Sequence, residues 1–233
     1  MEIKTAEEIA AEVAAERKSP TIQRRPVSLR GAVWVQALAR FLAEKKVRPN
    51  TVSLFSIAFA GLGSALLITA GQGELHAAAA FLACVPIAVA GRGLCNLLDG
   101  LIAVEGGFKT RSGELFNDFP DRIADLLFYV CAGYAVRDIA WAPAIGWAAG
   151  ALAVLTAYVR LLGGAMGAQQ YFIGPMAKTH RMLVLALGTF GAAVELLARN
   201  STYSLLVALI IIAVGSLLTA LRRAVRIVEE LER

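Results

Sequence analysis

The stretch "CNLLDGLIAVEGGFKTRSGELFNDFPDR", residues 95–122, lies between two strongly apolar segments, and its reading decides the fold. It carries carboxylates and side-chain amides at Asn96, Asp99, Glu105, Glu114, Asn117, Asp118 and Asp121. In a helix, residues three or four apart share a face. Arg92, Asn96, Asp99 and Ala103 therefore form one stripe, and Gly113, Asn117, Asp121 and Asp125 form a second. Ionisable groups in a membrane segment cost several kcal/mol unless paired or hydrated, so two such stripes facing each other across a short loop mark a site. Clustered hard oxygen atoms suit Mg²⁺, Mn²⁺ or Ca²⁺.

The flanking composition explains why a membrane enters the reading. Of the 233 residues, 58% are hydrophobic, and the mean hydropathy of +0.62 exceeds that of an ordinary soluble domain. Six windows approach the roughly 20 residues needed to cross a bilayer: Thr51–Ala70, His76–Leu98, Phe119–Val136, Ala140–Gly163, Met182–Ala198 and Tyr203–Leu221. The expected fold class is thus all-α, a polytopic membrane protein of six transmembrane helices. Ahead of them, Gly31–Glu44 places Val33, Val35, Leu38, Phe41 and Leu42 on one face with Trp34 near its edge, the pattern of an interfacial amphipathic helix. Pro49 ends that helix, and Asn50 or Thr51 is expected to cap the next. Pro120 reads as a first-turn proline of the third span. The domain reading is a cytoplasmic N-terminal segment over 1–30, a membrane domain over 31–221 and a cytoplasmic C-terminal helix over 222–233. Within the first segment, Thr5–Lys18 is helix-favouring and Ser19–Arg30 is a linker.

The net charge of +5 is placed asymmetrically. Lys45, Lys46, Arg48, Lys109, Arg111, Lys178, Arg181, Arg222, Arg223 and Arg226 all flank the spans on one side. The loops of the other side, Gly71–Leu75, Arg137–Trp141 and Arg199–Thr202, hold Arg137 and Arg199. The positive-inside rule puts both termini and the polar stretch in the cytoplasm, with a bacterial inner membrane as the expected location. The basic residues follow topology and form no continuous patch, so anionic membrane lipids, not nucleic acid, are the expected partner. Cys84, Cys95 and Cys131 lie in apolar windows without metal or redox spacing and read as small hydrophobes.

The polar stretch resembles the signature of the CDP-alcohol phosphotransferase family, D-x2-D-G-x2-A-R-x8-G-x3-D-x3-D. Asp99, Gly100, Ala103, Gly113 and Asp121 match it in type and spacing. Asn96 and Asn117 stand at the first and third Asp positions, and Val104 stands where the Arg is expected. This is the pattern of a subgroup with Asn at those positions. The resemblance spans residues 31–221, with its specificity concentrated in 96–121. It implies a transferase that moves a substituted phosphate from a CDP-linked lipid, CDP-diacylglycerol foremost, to a small alcohol or phosphorylated alcohol, with release of CMP. It also implies that Asn96, Asp99, Asn117 and Asp121 hold one or two Mg²⁺ or Mn²⁺ ions, with Asp121 as the catalytic base. Gly100, Ala103 and Gly113 would lie against the CDP moiety, and Arg92, Arg160, Lys178 and Arg181 would contact substrate phosphates. Homodimers are usual in similar proteins. Two other classes remain in competition: a non-catalytic relative that binds lipid or nucleotide, motivated by Asn96, Asn117 and Val104, and a transporter using the charged midsection as an ion site.

Overall fold

The computed structural model describes residues 31–106, 113–137 and 139–233. The N-terminal helix and linker expected within 1–30, and Lys109 and Arg111, lie outside the described residues. Seven helices make up the described fold: α1 (Val33–Glu44), α2 (Pro49–Gln72), α3 (Leu75–Glu105), α4 (Gly113–Ala135), α5 (Ala142–Ala165), α6 (Lys178–Arg199) and α7 (Tyr203–Leu231). Five of them, α2, α3, α5, α6 and α7, are long and apolar enough to cross a membrane. The third expected span, α4, is not among those five. Asp118, Asp121, Arg122 and Asp125 crowd its first half.

Six helices close into a ring in the packing order α2–α3–α6–α7–α5–α4 and back to α2, with α1 lying against α3. This order puts α3 and α4 on opposite sides of α2, so their polar stripes face each other across the ring interior. Small residues let the backbones approach closely. One close approach is between α4 and α5, where a Cβ built on Gly146 would stand 2.5 Å from the Tyr129 carbonyl oxygen and 3.0 Å from Gly133 Cα. The outer face of α7 exposes Val207, Ile211, Val214, Leu218 and Leu221. Such an apolar belt suits lipid better than water.

The helix ends follow local chemistry, with several shifts from expectation. Pro49 opens α2 at its first turn, and Arg48 takes the capping position in place of Asn50 or Thr51. The fixed φ of proline and its missing N–H suit that position. Pro120 lies inside α4, which begins seven residues earlier at Gly113. The polar C-terminal segment is no separate helix: α7 runs unbroken to Leu231 and buries Arg223 and Ile227 against the bundle. Helix α1 buries Val35 and Ala39 on a cluster with Val52, Cys95, Leu98 and Ile102, while Val33, Trp34 and Phe41 stay exposed. At the end of the ring away from the polar stripes, Glu195 accepts hydrogen bonds from Ser201, Ser204 and the Tyr203 backbone, satisfying the start of α7. Arg137 there donates to the carbonyls of Ala70 and Gly73 and ties α2 to α4.

Candidate active site

The other end of the ring gathers the C-terminal halves of α3, α5 and α7 and the N-terminal turns of α2, α4 and α6. The α3 and α4 stripes meet there as their spacing predicts. Asn96 on α3 donates from Nδ2 to Asp121 Oδ1 on α4 at 2.8 Å. Arg92, one turn earlier on α3, reaches the same Asp121 Oδ1 at 3.1 Å and Asp125 Oδ1 at 3.2 Å. Lys178, the first residue of α6, forms an ion pair with Asp121 Oδ2. Arg122 lies 3.6 Å from that same oxygen. Asp121 is thus surrounded by cations from three helices.

Beneath this layer lies a fully enclosed charge lattice. Asp125, 1% exposed, binds Arg92 through one oxygen and Arg181 through the other, at 3.2 and 3.0 Å. Arg181 also donates to Thr156 Oγ1 at 3.1 Å and to the Met176 carbonyl at 3.0 Å. Arg223 of α7 donates to the carbonyls of Thr156 at 2.7 Å and Ile173 at 2.9 Å. Buried ions persist only when opposite charges and hydrogen bonds replace the water they lose. This network supplies both to Arg92 and Arg181 and carbonyl acceptors to Arg223, and it joins α3 to α7.

Asp99 occupies a different environment. It is 4% exposed, Ser53 of α2 donates to its Oδ2 at 2.7 Å, and among the described residues its buried Oδ1 has no hydrogen-bond partner. An orphaned carboxylate oxygen is costly unless a ligand completes it. One turn of helix away from Asn96, Gly100 has open space beside it: a Cβ built there meets nothing within 4 Å. At the rim, Arg160 of α5 binds Asp118 Oδ2 at 2.6 Å and Gln170 Oε1 at 3.0 Å, and its guanidinium lies 5.1 Å from the centre of the Phe172 ring.

Among the described residues, no three His, Cys, Asp or Glu side chains form a ready-made metal cage. Mg²⁺ rarely needs one, since it is commonly held by one or two carboxylates together with substrate phosphates and water. The unpartnered oxygen of Asp99 fits such an ion.

The structure divides the expected site residues by depth. Asn96, Asp99 and Asp121 come together, as do Lys178 and Arg160 around the mouth. Arg92 and Arg181, expected at substrate phosphates, are 0% and 2% exposed and serve as the floor that holds Asp121 and Asp125. Ala103 is half-buried on the α3 stripe and Gly113 opens α4. Val104 points outward, 46% exposed. Asn117 lies on α4, and its side chain falls outside the described residues. Sequence reasoning passed over Ser53, Thr156, Arg122 and Arg223 as site components. Ser53 and Thr156 are uncharged small residues in apolar runs, and Arg223 sits in a basic cluster that topology alone explains. Only Arg122, adjoining Asp121, carried a local signal.

No family model matches the chain. Over 156 residues it is 28% identical to inner membrane protein YnbA of Escherichia coli (strain K12), a match covering 67% of this chain and 72% of YnbA. Among solved structures, it resembles Mycobacterium tuberculosis phosphatidylinositol phosphate synthase (PgsA1) with CDP-DAG bound. The TM-score is 0.62 at 20% identity, over 83% of this chain and 92% of the synthase. The same synthase in complex with manganese and citrate gives a TM-score of 0.63 at 20% identity, over 83% and 88% of the two chains. The chain therefore shares the helical fold of that synthase.

Proposed function

We propose that this chain is a member of the CDP-alcohol phosphotransferase family. It is an integral membrane phosphotransferase that moves a substituted phosphate from a CDP-linked lipid, CDP-diacylglycerol or a close analogue, to an alcohol with release of CMP, in phospholipid synthesis. The observation that carries this reading is the convergence of Asn96 and Asp99 with Asp121 across the ring, with Asp99 Oδ1 unpartnered. The matching spacing over 96–121 and the fold shared with a synthase solved with CDP-DAG support the same reading. In this arrangement α4 crosses the membrane as the sixth span, its charges turned into the ring, and α1 lies in the interface. The polar end and both termini face the cytoplasm, following the positive charges. Homodimerisation belongs to the same reading.

A bound Mg²⁺ or Mn²⁺ would neutralise the diphosphate charge that grows as CMP departs. Asp99 is the residue that would hold it, while Asp121, whose carboxylate Lys178 and Arg92 already occupy, serves as the base. The chain's own groups do the rest. Gly100 leaves space for the nucleotide to lie against α3, with Ala103 and Gly113 beside it. Asp121 accepts the proton of the acceptor hydroxyl. As that oxygen bonds to the lipid phosphorus, the phosphoanhydride bond to CMP breaks. Arg92 fixes the Asp121 carboxylate from below. Arg160 and Lys178 present cations at the mouth, where a phosphorylated acceptor would bind.

The test is release of CMP from CDP-diacylglycerol by the purified protein with Mg²⁺ or Mn²⁺ and a panel of small alcohols and phosphorylated alcohols. Metal-dependent release with one acceptor is the expected result. Absence of release with every acceptor, while CDP still binds, overturns the enzyme reading. It would favour a nucleotide- or lipid-binding relative, a second reading motivated by Asn96, Asn117 and the Lys178 ammonium already seated on Asp121.

A further inference from the structure

The two halves of the polar site differ in what already occupies them. Asp121 is saturated. Its Oδ1 receives Asn96 at 2.8 Å and Arg92 at 3.1 Å, and its Oδ2 receives Lys178 with Arg122 at 3.6 Å. A divalent ion placed on this carboxylate would displace an ammonium and meet the repulsion of two guanidinium groups, in a site where charges are poorly screened. Asp99 is the opposite case. Ser53 takes Oδ2, Oδ1 is buried without a partner, and no cationic side chain is within ion-pair distance of it among the described residues. Ser53 is itself anchored, since its hydroxyl also lies 3.2 Å from the Pro49 carbonyl and Ser56 donates to its backbone oxygen at 2.6 Å. The carboxylate is therefore turned by a rigid partner so that one oxygen remains free.

We propose that this chain binds a single divalent cation, centred on Asp99 with Ser53 as its positioning residue, and that Lys178 stands on Asp121 as a built-in second cation. The Asn side chain at 96 agrees with that division, because its amide donates to Asp121 where a carboxylate would repel it. The proposal rests on the phosphotransferase reading only for the diphosphate that completes the ion's shell. The ion count itself is a property of the chain alone.

The experiment is Mn²⁺ titration of the purified full-length protein in detergent micelles, with free Mn²⁺ counted by electron paramagnetic resonance and no CDP-lipid present. One ion per chain is expected, falling to none in Asp99→Asn. Removing an outer hydrogen bond to a metal ligand typically costs 10–100-fold in affinity, so Ser53→Ala should weaken binding by about 10-fold or more. Ser53→Thr, which keeps the hydroxyl, should restore it. Lys178→Met should admit a second ion, while Lys178→Arg should not. Two ions or none on the wild-type protein overturns the proposal, as does a Ser53→Ala affinity equal to wild type. A Lys178→Met protein that remains folded yet still binds one ion removes Lys178 from the role given it. If Lys178→Met fails to fold, the wild-type count and the Ser53 pair decide the matter. One Mn²⁺ per chain with no CMP release from any acceptor would leave this inference standing and sink the phosphotransfer reading.

Discussion

Asp125→Asn is the sharpest probe of how the site is supported. Asp125 is 1% exposed and divides its two oxygens between Arg92 at 3.2 Å and Arg181 at 3.0 Å. The amide replaces one oxygen by an NH₂ group, which faces a guanidinium donor to donor, and it removes the negative charge between two buried positive ones. Breaking a buried pair while leaving its partner charged costs about 3–5 kcal/mol. The residual partners, Asp121 for Arg92 and Thr156 with Met176 for Arg181, place the loss at the lower end of that range. At roughly 2–4 °C per kcal/mol for a chain of this size, a loss of about 3 kcal/mol lowers the melting temperature by about 6–12 °C. Thermal melting of purified protein in one detergent, followed by circular dichroism, measures it. Asp118→Asn is the matched control. Its ion pair with Arg160 lies at the rim with the Asp118 side chain 30% exposed, where such pairs contribute about 1 kcal/mol or less. A double-mutant cycle of Asp125→Asn with Arg181→Gln should show a coupling within the range of about 0.5–3 kcal/mol found for contacting residues. If Asp125→Asn melts within about 2 °C of wild type, or Asp118→Asn is the more damaging change, the buried lattice does not hold the fold together as argued.

Three further outcomes follow from the same geometry. Asp121→Asn should abolish metal-dependent CMP release while leaving CDP affinity within a few-fold, as read by turnover and equilibrium binding; retained turnover would remove Asp121 as the base. Gly100→Ala should separate stability from function, because its new Cβ meets nothing within 4 Å and alanine is favoured over glycine in a helix by about 1 kcal/mol. The variant should melt at or above the wild-type temperature yet bind CDP more weakly, and unchanged CDP affinity would show that the nucleotide does not use the space beside Gly100. Gly146→Ala should destabilise by about 1–3 kcal/mol, since its Cβ would stand 2.5 Å from the Tyr129 carbonyl oxygen. Gly61→Ala, whose added Cβ would meet nothing within 4 Å, should melt no lower than wild type, and equal melting of the two variants would count against close α4–α5 packing.

Much of the site was legible because helical periodicity turns spacing into direction. Asn96 and Asp99 had to share a face of one helix, and Asp121 and Asp125 a face of another, before any tertiary contact was considered. Depth was not legible. Arg92, Arg160, Lys178 and Arg181 look alike in sequence, as basic residues at the same end of successive apolar runs. Packing order separates them: Arg92 and Arg181 are enclosed with Asp125, while Arg160 and Lys178 keep part of their side chains at the mouth. Ser53 could not have been found from its own neighbourhood. A serine in an apolar helix is ordinary until the opposing helix brings a carboxylate to it, 46 residues away in the chain.

Apolar composition and its periodic interruption determined, without tertiary information, that the chain is helical and suited to a bilayer. They also determined that its polar chemistry lies at one end of α3 and α4. Both results depend on local geometry, the 3.6-residue turn and the length of an apolar run, which short sequence windows encode. Tertiary structure alone decided where α4, read from sequence as the third span, takes its place: in the ring between α2 and α5. It likewise decided that Asp121 is filled by cations while Asp99 keeps one oxygen free. Those outcomes depend on which helices become neighbours and how far each side chain reaches across the interior, quantities that exist only once the ring has closed.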